Sequence, residues 1–185
     1  MPAEINQSLV NVIPVLKDPD LLSDKSVGAF FNGRALVNPP TPAAILKILK
    51  ESGISLKGKH AVVFGYGRLV GRFLAPILLK EGVSVSFLDK IASSENVLNL
   101  SSGADIIISA SGSPKSVKPE IVKEGAAVVD AGFSLVDGKI TGDVDFDSVS
   151  VKSSFITPVP GGVGPVSVAE LFNNIVELFK ISNKN

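Results

Sequence analysis

The chain has 185 residues, 45% of them hydrophobic, with 18 basic and 18 acidic side chains and no formal net charge. That length can bury one sizeable core, and the charges form no basic stripe suited to nucleic acid or an anionic membrane surface. The lack of cysteine excludes disulfides and thiolate metal sites, and one histidine cannot build a zinc cluster. No uninterrupted apolar run reaches the ~20 residues that span a bilayer. Met1-Pro2-Ala3-Glu4 opens no basic-then-apolar signal, so a soluble, cytoplasmic protein is expected.

Ile5, Leu9, Val12 and Ile13 are spaced for a short amphipathic helix that stops near Pro14. Residues 17–40 carry Asp18-Pro19-Asp20, Asn32-Gly33 and Asn38-Pro39-Pro40, turn signals without a sustained period, and read as an irregular connector. Thr41 reads as a helix cap with Pro42 at the first position, and Ile45, Leu46, Ile48 and Leu49 give that helix a buried face ending at Gly53.

The most informative stretch is residues 59–90. Ala61 to Phe64 is short and apolar enough for a buried parallel strand, and Gly65, Gly67 and Gly71 follow it at once. Leu69 to Lys80 has helical spacing, so its first amides would face an anion along the favourable end of the helix dipole. Val83 to Leu88 reads as a second strand, and Asp89 stands where an acid meets ribose hydroxyls in dinucleotide folds. The third glycine lies one residue later than in G-x-G-x-x-G. Two readings fit: a dinucleotide cradle, or a plain strand-to-helix turn with Asp89 as a loop acid. The order strand, turn, helix, strand, acid favours the first.

A polar run near Ser93 to Asn96 leads to the apolar strand Ile106 to Ala110, which ends in Ser111-Gly112-Ser113-Pro114. A short helix at Pro119 to Lys123 and a strand at Ala126 to Asp130 follow, again with a small-residue ending, Ala131-Gly132. Small residues at carboxyl strand ends leave room for a ligand in the crevice of an open α/β sheet. Asp137-Gly138 marks a tight hairpin and a candidate dimer edge, and Gly142 to Phe146 alternates with period two. That alternation puts Asp143 and Asp145 on one solvated face. Asp130 reads as a structural carboxylate bonded to backbone amides, and His60 as a strand-edge residue rather than a base. Ser154 to Thr157 is a short strand, and Pro158 to Pro165 is too rich in proline and glycine for regular structure. Ser167 to Phe179 is an amphipathic helix whose wide apolar face needs a cover. The expected fold is a Rossmann-like, doubly wound, mostly parallel sheet with helices on both faces and a β-hairpin.

Ile156-Thr157-Pro158-Val159-Pro160-Gly161-Gly162-Val163-Gly164-Pro165 resembles the carboxy-terminal signature of the methylenetetrahydrofolate dehydrogenase/cyclohydrolase family. The likeness continues through Val129-Asp130-Ala131-Gly132, Gly142-Asp143-Val144, Ala104-Asp105-Ile106, Val70-Gly71-Arg72 and Pro40-Thr41-Pro42. It covers nearly the whole chain, with residue 1 near the middle of the family's usual protein. The resemblance implies residues 41–185 as a dinucleotide-binding domain and residues 1–40 as a helix and connector left from the interdomain region. It implies NAD(P) as cofactor and a folate whose methylene bridge is oxidised by hydride transfer. Many members then hydrolyse the methenyl product to the 10-formyl form. By the same comparison Gly65, Tyr66, Gly67, Arg68 and Leu69 hold the phosphates, while Ala110, Ser111, Gly112 and Gly132 line the dinucleotide. Gly162, Gly164 and Pro165 lie where nicotinamide and folate meet, and Ser167 replaces the usual threonine.

Departures from the family pattern shape the expectation. The family's amino-terminal domain supplies a tyrosine and, four residues on, a lysine; here the only tyrosine is Tyr66, followed at that spacing by Val70, so no catalytic residue is assigned. Gly28 stands where the family has a folate-contacting aspartate. Tyr66 and Gly67 replace a basic residue and a serine. Asp89 replaces a basic residue suited to a 2′-phosphate, so NAD is expected over NADP. Three functions remain open: a folate dehydrogenase whose partner domain lies elsewhere, a catalytically silent NAD-binding module, and an unrelated small NAD-dependent dehydrogenase, which the Pro160 to Pro165 motif argues against. A homodimer or association with a separate partner domain is expected in either of the first two cases.

Overall fold

The computed structural model describes residues 7–184. Its helices are α1 (Gln7–Val10), α2 (Asp24–Phe31), α3 (Pro40–Glu51), α4 (Gly71–Lys80), α5 (Ser94–Ser101), α6 (Phe146–Ser150) and α7 (Val163–Ser182). Its strands are β1 (His60–Phe64), β2 (Ser84–Leu88), β3 (Ile106–Ser109), β4 (Ala127–Asp130), β5 (Ser134–Val136), β6 (Lys139–Thr141) and β7 (Phe155–Ile156). The main sheet runs β2-β1-β3-β4-β7 and every pair in it is parallel. Val62, Ile107 and Val128 align across the strands on one face and Val63, Ile108 and Val129 on the other, so the centre of the sheet is apolar on both faces. Continuous apolar runs, rather than alternation, are what a sheet covered on both sides requires.

One face packs Val63, Ile106, Ile108 and Val129 against Ala44, Ile45 and Leu49 of α3, Leu74 and Leu78 of α4, and Val163 of α7. The other packs Val62, Ile107 and Val128 under Val97 of α5, Ile121 and Val149 of α6. Each fully buried valine, leucine or isoleucine contributes about 1.5–3 kcal/mol over its exposed state. The chain is therefore doubly wound, with the change in winding direction between β1 and β3. Among the described residues no helix is long and apolar enough to cross a membrane.

The structure departs from the sequence expectation in several elements. Residues 17–40 are not wholly irregular: Ser23 caps α2 by accepting from the amide of Ser26, and Phe30 packs edge-on to Phe73 of α4 at 5.0 Å. The first helix is shorter than expected, ending at Val10 with Leu9 and Val12 exposed, and Ile5 lies outside the described residues. α3 begins at Pro40 with Pro39 as its cap, and the Thr41 hydroxyl instead meets Ser167 Oγ at 2.7 Å. α4 starts at Gly71, leaving Leu69 in the preceding turn. The polar run after residue 92 is α5, capped by Ser93.

Gly142 to Phe146 makes only one bridge, Val117 to Val144, before turning into α6. Asp143 is fully buried, which overturns its reading as a solvated hairpin residue. The hairpin itself is β5–β6, turning on Asp137 and Gly138 with φ of 49° and 73°, as a tight turn with two left-handed residues demands. Finally, the Pro-Gly segment is not irregular to its end: α7 already begins at Val163.

Candidate functional site

The carboxyl ends of β1, β3, β4 and β7 form one edge, and the residues singled out from sequence gather there. Gly65, at φ 96°, lies where an added Cβ would stand 2.6 Å from the Ala110 carbonyl oxygen, so the turns after β1 and β3 touch at the winding switch. At Gly71 a Cβ would stand 2.1 Å from the Gly65 carbonyl oxygen, which seats the first turn of α4 on the strand end. Gly67 is different: nothing lies within 4 Å of its would-be Cβ, and its bare backbone faces open space. Among the described residues, no amide from Tyr66 to Val70 donates a hydrogen bond. A run of free amides before a ten-residue helix is a ready cradle for a phosphate.

Around that loop, Asp89 is exposed just past β2, where its Oδ1 accepts from the amide of Lys90 at 2.7 Å. Tyr66 is 57% exposed and sits edge-on to Phe87, with ring centroids 5.0 Å apart. Arg68 turns away from the loop, donating from Nη2 to the Leu22 carbonyl at 2.9 Å. Arg72 lies over the Phe73 ring at 5.0 Å with Nε buried and unpartnered, and burial together with the Arg68 charge lowers its pKa. His60 contacts Ser86 Oγ at 2.9 Å on the neighbouring strand, as a strand-edge residue does.

A cleft of about 360 Å³ opens beside β4 and β7. Its walls are Gly132 and Phe133 after β4, Ile140 of the hairpin, the loop Pro158 to Pro165, and Thr41 with Ser167 across from it. Gly162 and Gly164 line it without side chains, and at Gly162 a Cβ would stand 2.4 Å from the Pro158 carbonyl oxygen. The glycine-loop edge touches the residues after β3 at Ala110 and Ser111, and these reach Gly132 in the cleft wall through the Asp143 carboxylate.

Two buried aspartates hold that junction. Asp130 accepts from the amides of Gly132 (2.8 Å), Asp143 (3.1 Å) and Val144 (2.9 Å), while its own amide donates to Thr157 Oγ1 at 2.8 Å. Burial pushes its carboxyl above the ordinary range, those amides pull it down, and the Asp143 charge adds to the rise. Asp143 Oδ2 accepts from Ser109 Oγ, Ser111 N, Ser111 Oγ and Gly112 N at 2.8–3.1 Å, tying the segment after the hairpin to the end of β3. Its Oδ1 is buried without a partner among the described residues. Gly132 and Gly142 make room for both carboxylates, since a Cβ at either would lie 2.1–2.2 Å from one of them. Asp130 is thus amide-bonded, as read from sequence. Asp143, Thr41 and Phe133 were missed as site residues, because their partners lie more than 30 residues away or arrive only with the folded cleft.

Residues 39–183 match the family model described as tetrahydrofolate dehydrogenase/cyclohydrolase, NAD(P)-binding domain. The chain belongs to this family. Within it, a bifunctional protein FolD from Clostridium tetani is 42% identical over 94% of this chain and 62% of its own length. The crystal structure of the bifunctional FolD methylenetetrahydrofolate dehydrogenase/cyclohydrolase from Campylobacter jejuni superposes with a TM-score of 0.88 at 39% identity, covering 96% of this chain and 63% of that one. The Trypanosoma brucei methylenetetrahydrofolate dehydrogenase-cyclohydrolase, solved with NADP and an inhibitor, gives a TM-score of 0.91 at 34% identity, covering all of this chain and 65% of that one. The chain therefore spans a little under two thirds of the FolD proteins it matches. Family membership makes the glycine-loop edge part of an NAD(P)-binding domain, and the bare Gly67 backbone and free amides fit that group.

Proposed function

We propose that the chain is the dinucleotide-holding part of a methylenetetrahydrofolate dehydrogenase/cyclohydrolase of one-carbon metabolism, working in the cytoplasm. The observation that carries this is a chain of contacts from the glycine loop to the 360 Å³ cleft: Gly65 lies against Ala110 and Ser111, the Ser111 and Gly112 amides donate to Asp143, and Asp143 lies against Gly132 in the cleft wall. In this reading Gly65 to Leu69 and the start of α4 hold the phosphates, and Ala110 to Gly112 with Gly132 line the dinucleotide. Gly162, Gly164 and Pro165 bring the folate against the nicotinamide, and Ser167 contacts the dinucleotide. A dinucleotide held there would supply the acceptor for a hydride leaving the methylene bridge of the folate. The protein's part is to hold the two reactants in register and keep water out. Residues 41–185 carry the dinucleotide site, and residues 1–40 belong to the interdomain region.

Asp89 sets the cofactor preference within this proposal. A carboxylate past β2 repels a 2′-phosphate and accepts from a free ribose diol, so NAD binds more tightly than NADP. The Trypanosoma brucei relative holds NADP, which makes the comparison a direct test. Calorimetry with both dinucleotides, followed by an assay of methylenetetrahydrofolate oxidation, separates the cases. No heat with either dinucleotide overturns the proposal, and tighter NADP binding overturns the role of Asp89.

A second reading, a dinucleotide-binding module without turnover, is favoured by one feature. Among the described residues lining the cleft, Asp130 is the only ionisable side chain, and three amides already engage it. Turnover by this chain alone would dismiss that reading. Association with a partner, a second copy or a separate domain, fits the exposed outer stripe of α7 and the exposed hairpin residues Leu135 and Ile140.

A further inference from the structure

Tyr66 is the residue whose exposure the phosphate cradle does not explain. It is the first side chain after Gly65, in a loop whose other duties fall to backbone amides, yet it places an aromatic ring 57% in water. The ring is held in place: it meets Phe87 edge-on at 5.0 Å and 82°, and Phe87 packs against the core beneath β2. The amide of Gly65 donates to the Leu88 carbonyl at 2.8 Å, which fixes the root of the loop to the end of the same strand. Asp89, one residue further, is also exposed. A fixed, exposed aromatic ring thus stands at the end of the β1–β2 pair, packed on Phe87, and an exposed carboxylate follows two residues after Phe87 on the same strand end.

We infer that Tyr66 is the platform on which the adenosine half of the dinucleotide stacks. This rests on the dinucleotide reading of the same edge. The chemistry is complementary part by part: a purine offers a π face to the ring, and the ribose diol next to it offers two donors to Asp89. The edge contact with Phe87 holds the platform, so little side-chain freedom is lost when the base arrives. An arginine here would offer charge to a 2′-phosphate and a tyrosine offers none; because NAD and NADP share the same adenine, the stack adds affinity for either, and the choice between them falls to Asp89.

The protein carries its own probe, because Tyr66 is its only tyrosine and there is no tryptophan. Intrinsic emission therefore reports on this ring alone. The full chain is titrated with NAD, ADP-ribose and nicotinamide mononucleotide, with emission and binding heat read in parallel and inner-filter loss corrected against free N-acetyltyrosinamide. NAD and ADP-ribose should quench saturably, at the concentrations where heat saturates, and nicotinamide mononucleotide should not. Saturable heat from NAD with unchanged emission overturns the inference while leaving dinucleotide binding intact, as does quenching by nicotinamide mononucleotide alone. Neither heat nor quenching with NAD defeats the binding reading and the inference with it. Y66A should bind NAD about 10-fold more weakly, the scale of one lost base-stacking contact, with its melting temperature little changed. Y66F, which keeps the face, should bind within about two-fold of the parent. Equal affinity of Y66A and the parent overturns the inference even if the emission changes.

Discussion

Gly67 and Gly71 stand four residues apart and lack side chains for opposite reasons. At Gly71 a methyl would collide with the Gly65 backbone, so G71A forces α4 off the strand end and should cost about 1–3 kcal/mol in urea unfolding. At Gly67 a methyl meets nothing in the protein. G67A should leave stability within about 0.5 kcal/mol and weaken dinucleotide binding measured by calorimetry. Equal behaviour of the two variants would remove the distinction between a packing glycine and a ligand-facing one. Asp143 makes the same point for charge. D143A strands the buried Ser109 Oγ and removes the acceptor of the part-buried Ser111 and Gly112 amides, and should destabilise by about 1–3 kcal/mol, read from urea melts. The alternation around Asp143 suggested a solvated face; the carboxylate is instead drawn inward by donors at Ser109, Ser111 and Gly112, which local pattern does not reveal.

Among elements, the strands and the glycine turn were legible because apolar runs end abruptly in glycine or serine, a local signal. α2 and α5 were not. α5 is largely serine, asparagine and glutamate, with Val97 as its inward contact, and both helices owe their starts to a serine cap rather than to a strong apolar period. Their positions are set by packing from elsewhere, such as Phe73 beneath Phe30. α7 shows the converse. Its apolar residues were read correctly, but Val168, Phe172, Ile175, Val176 and Phe179 form a stripe left 45–67% exposed. The association with a partner proposed above rests on such a stripe along a 20-residue helix. F172S/F179S should fold with stability changed by less than about 0.5 kcal/mol and lower self-association in sedimentation velocity. Loss of folding instead would mean that the stripe supports the domain itself.

For the whole molecule, acid response divides between carboxylates shifted down, Asp18 and Asp105, and carboxylates shifted up, Asp20 and Asp130. Asp105 ties Lys123, the amide of His60 and Lys59 together at the start of β3, and these partners hold its pKa down from 3.8 to about 2. Its contribution is full above pH 3.8 and is lost as the pH falls through about 2. Solvent screening limits it to about 1 kcal/mol. D105N should be less stable than the parent by that amount near neutrality, the gap closing in acid, by urea melts across pH. Asp130 acts the other way: its raised pKa favours the protonated folded state in acid, and that contribution fades as the pH rises through the raised value.

The main sheet is also bounded unequally, by the five-residue β2 on one side and by β7, only Phe155–Ile156, on the other. A foreign strand seeking to extend the sheet beyond β7 finds a two-residue ledge, too narrow to template the register of a growing fibril. The short last strand that lets the Pro-Gly loop turn back over the cleft thus also shuts one side of the sheet to aggregation.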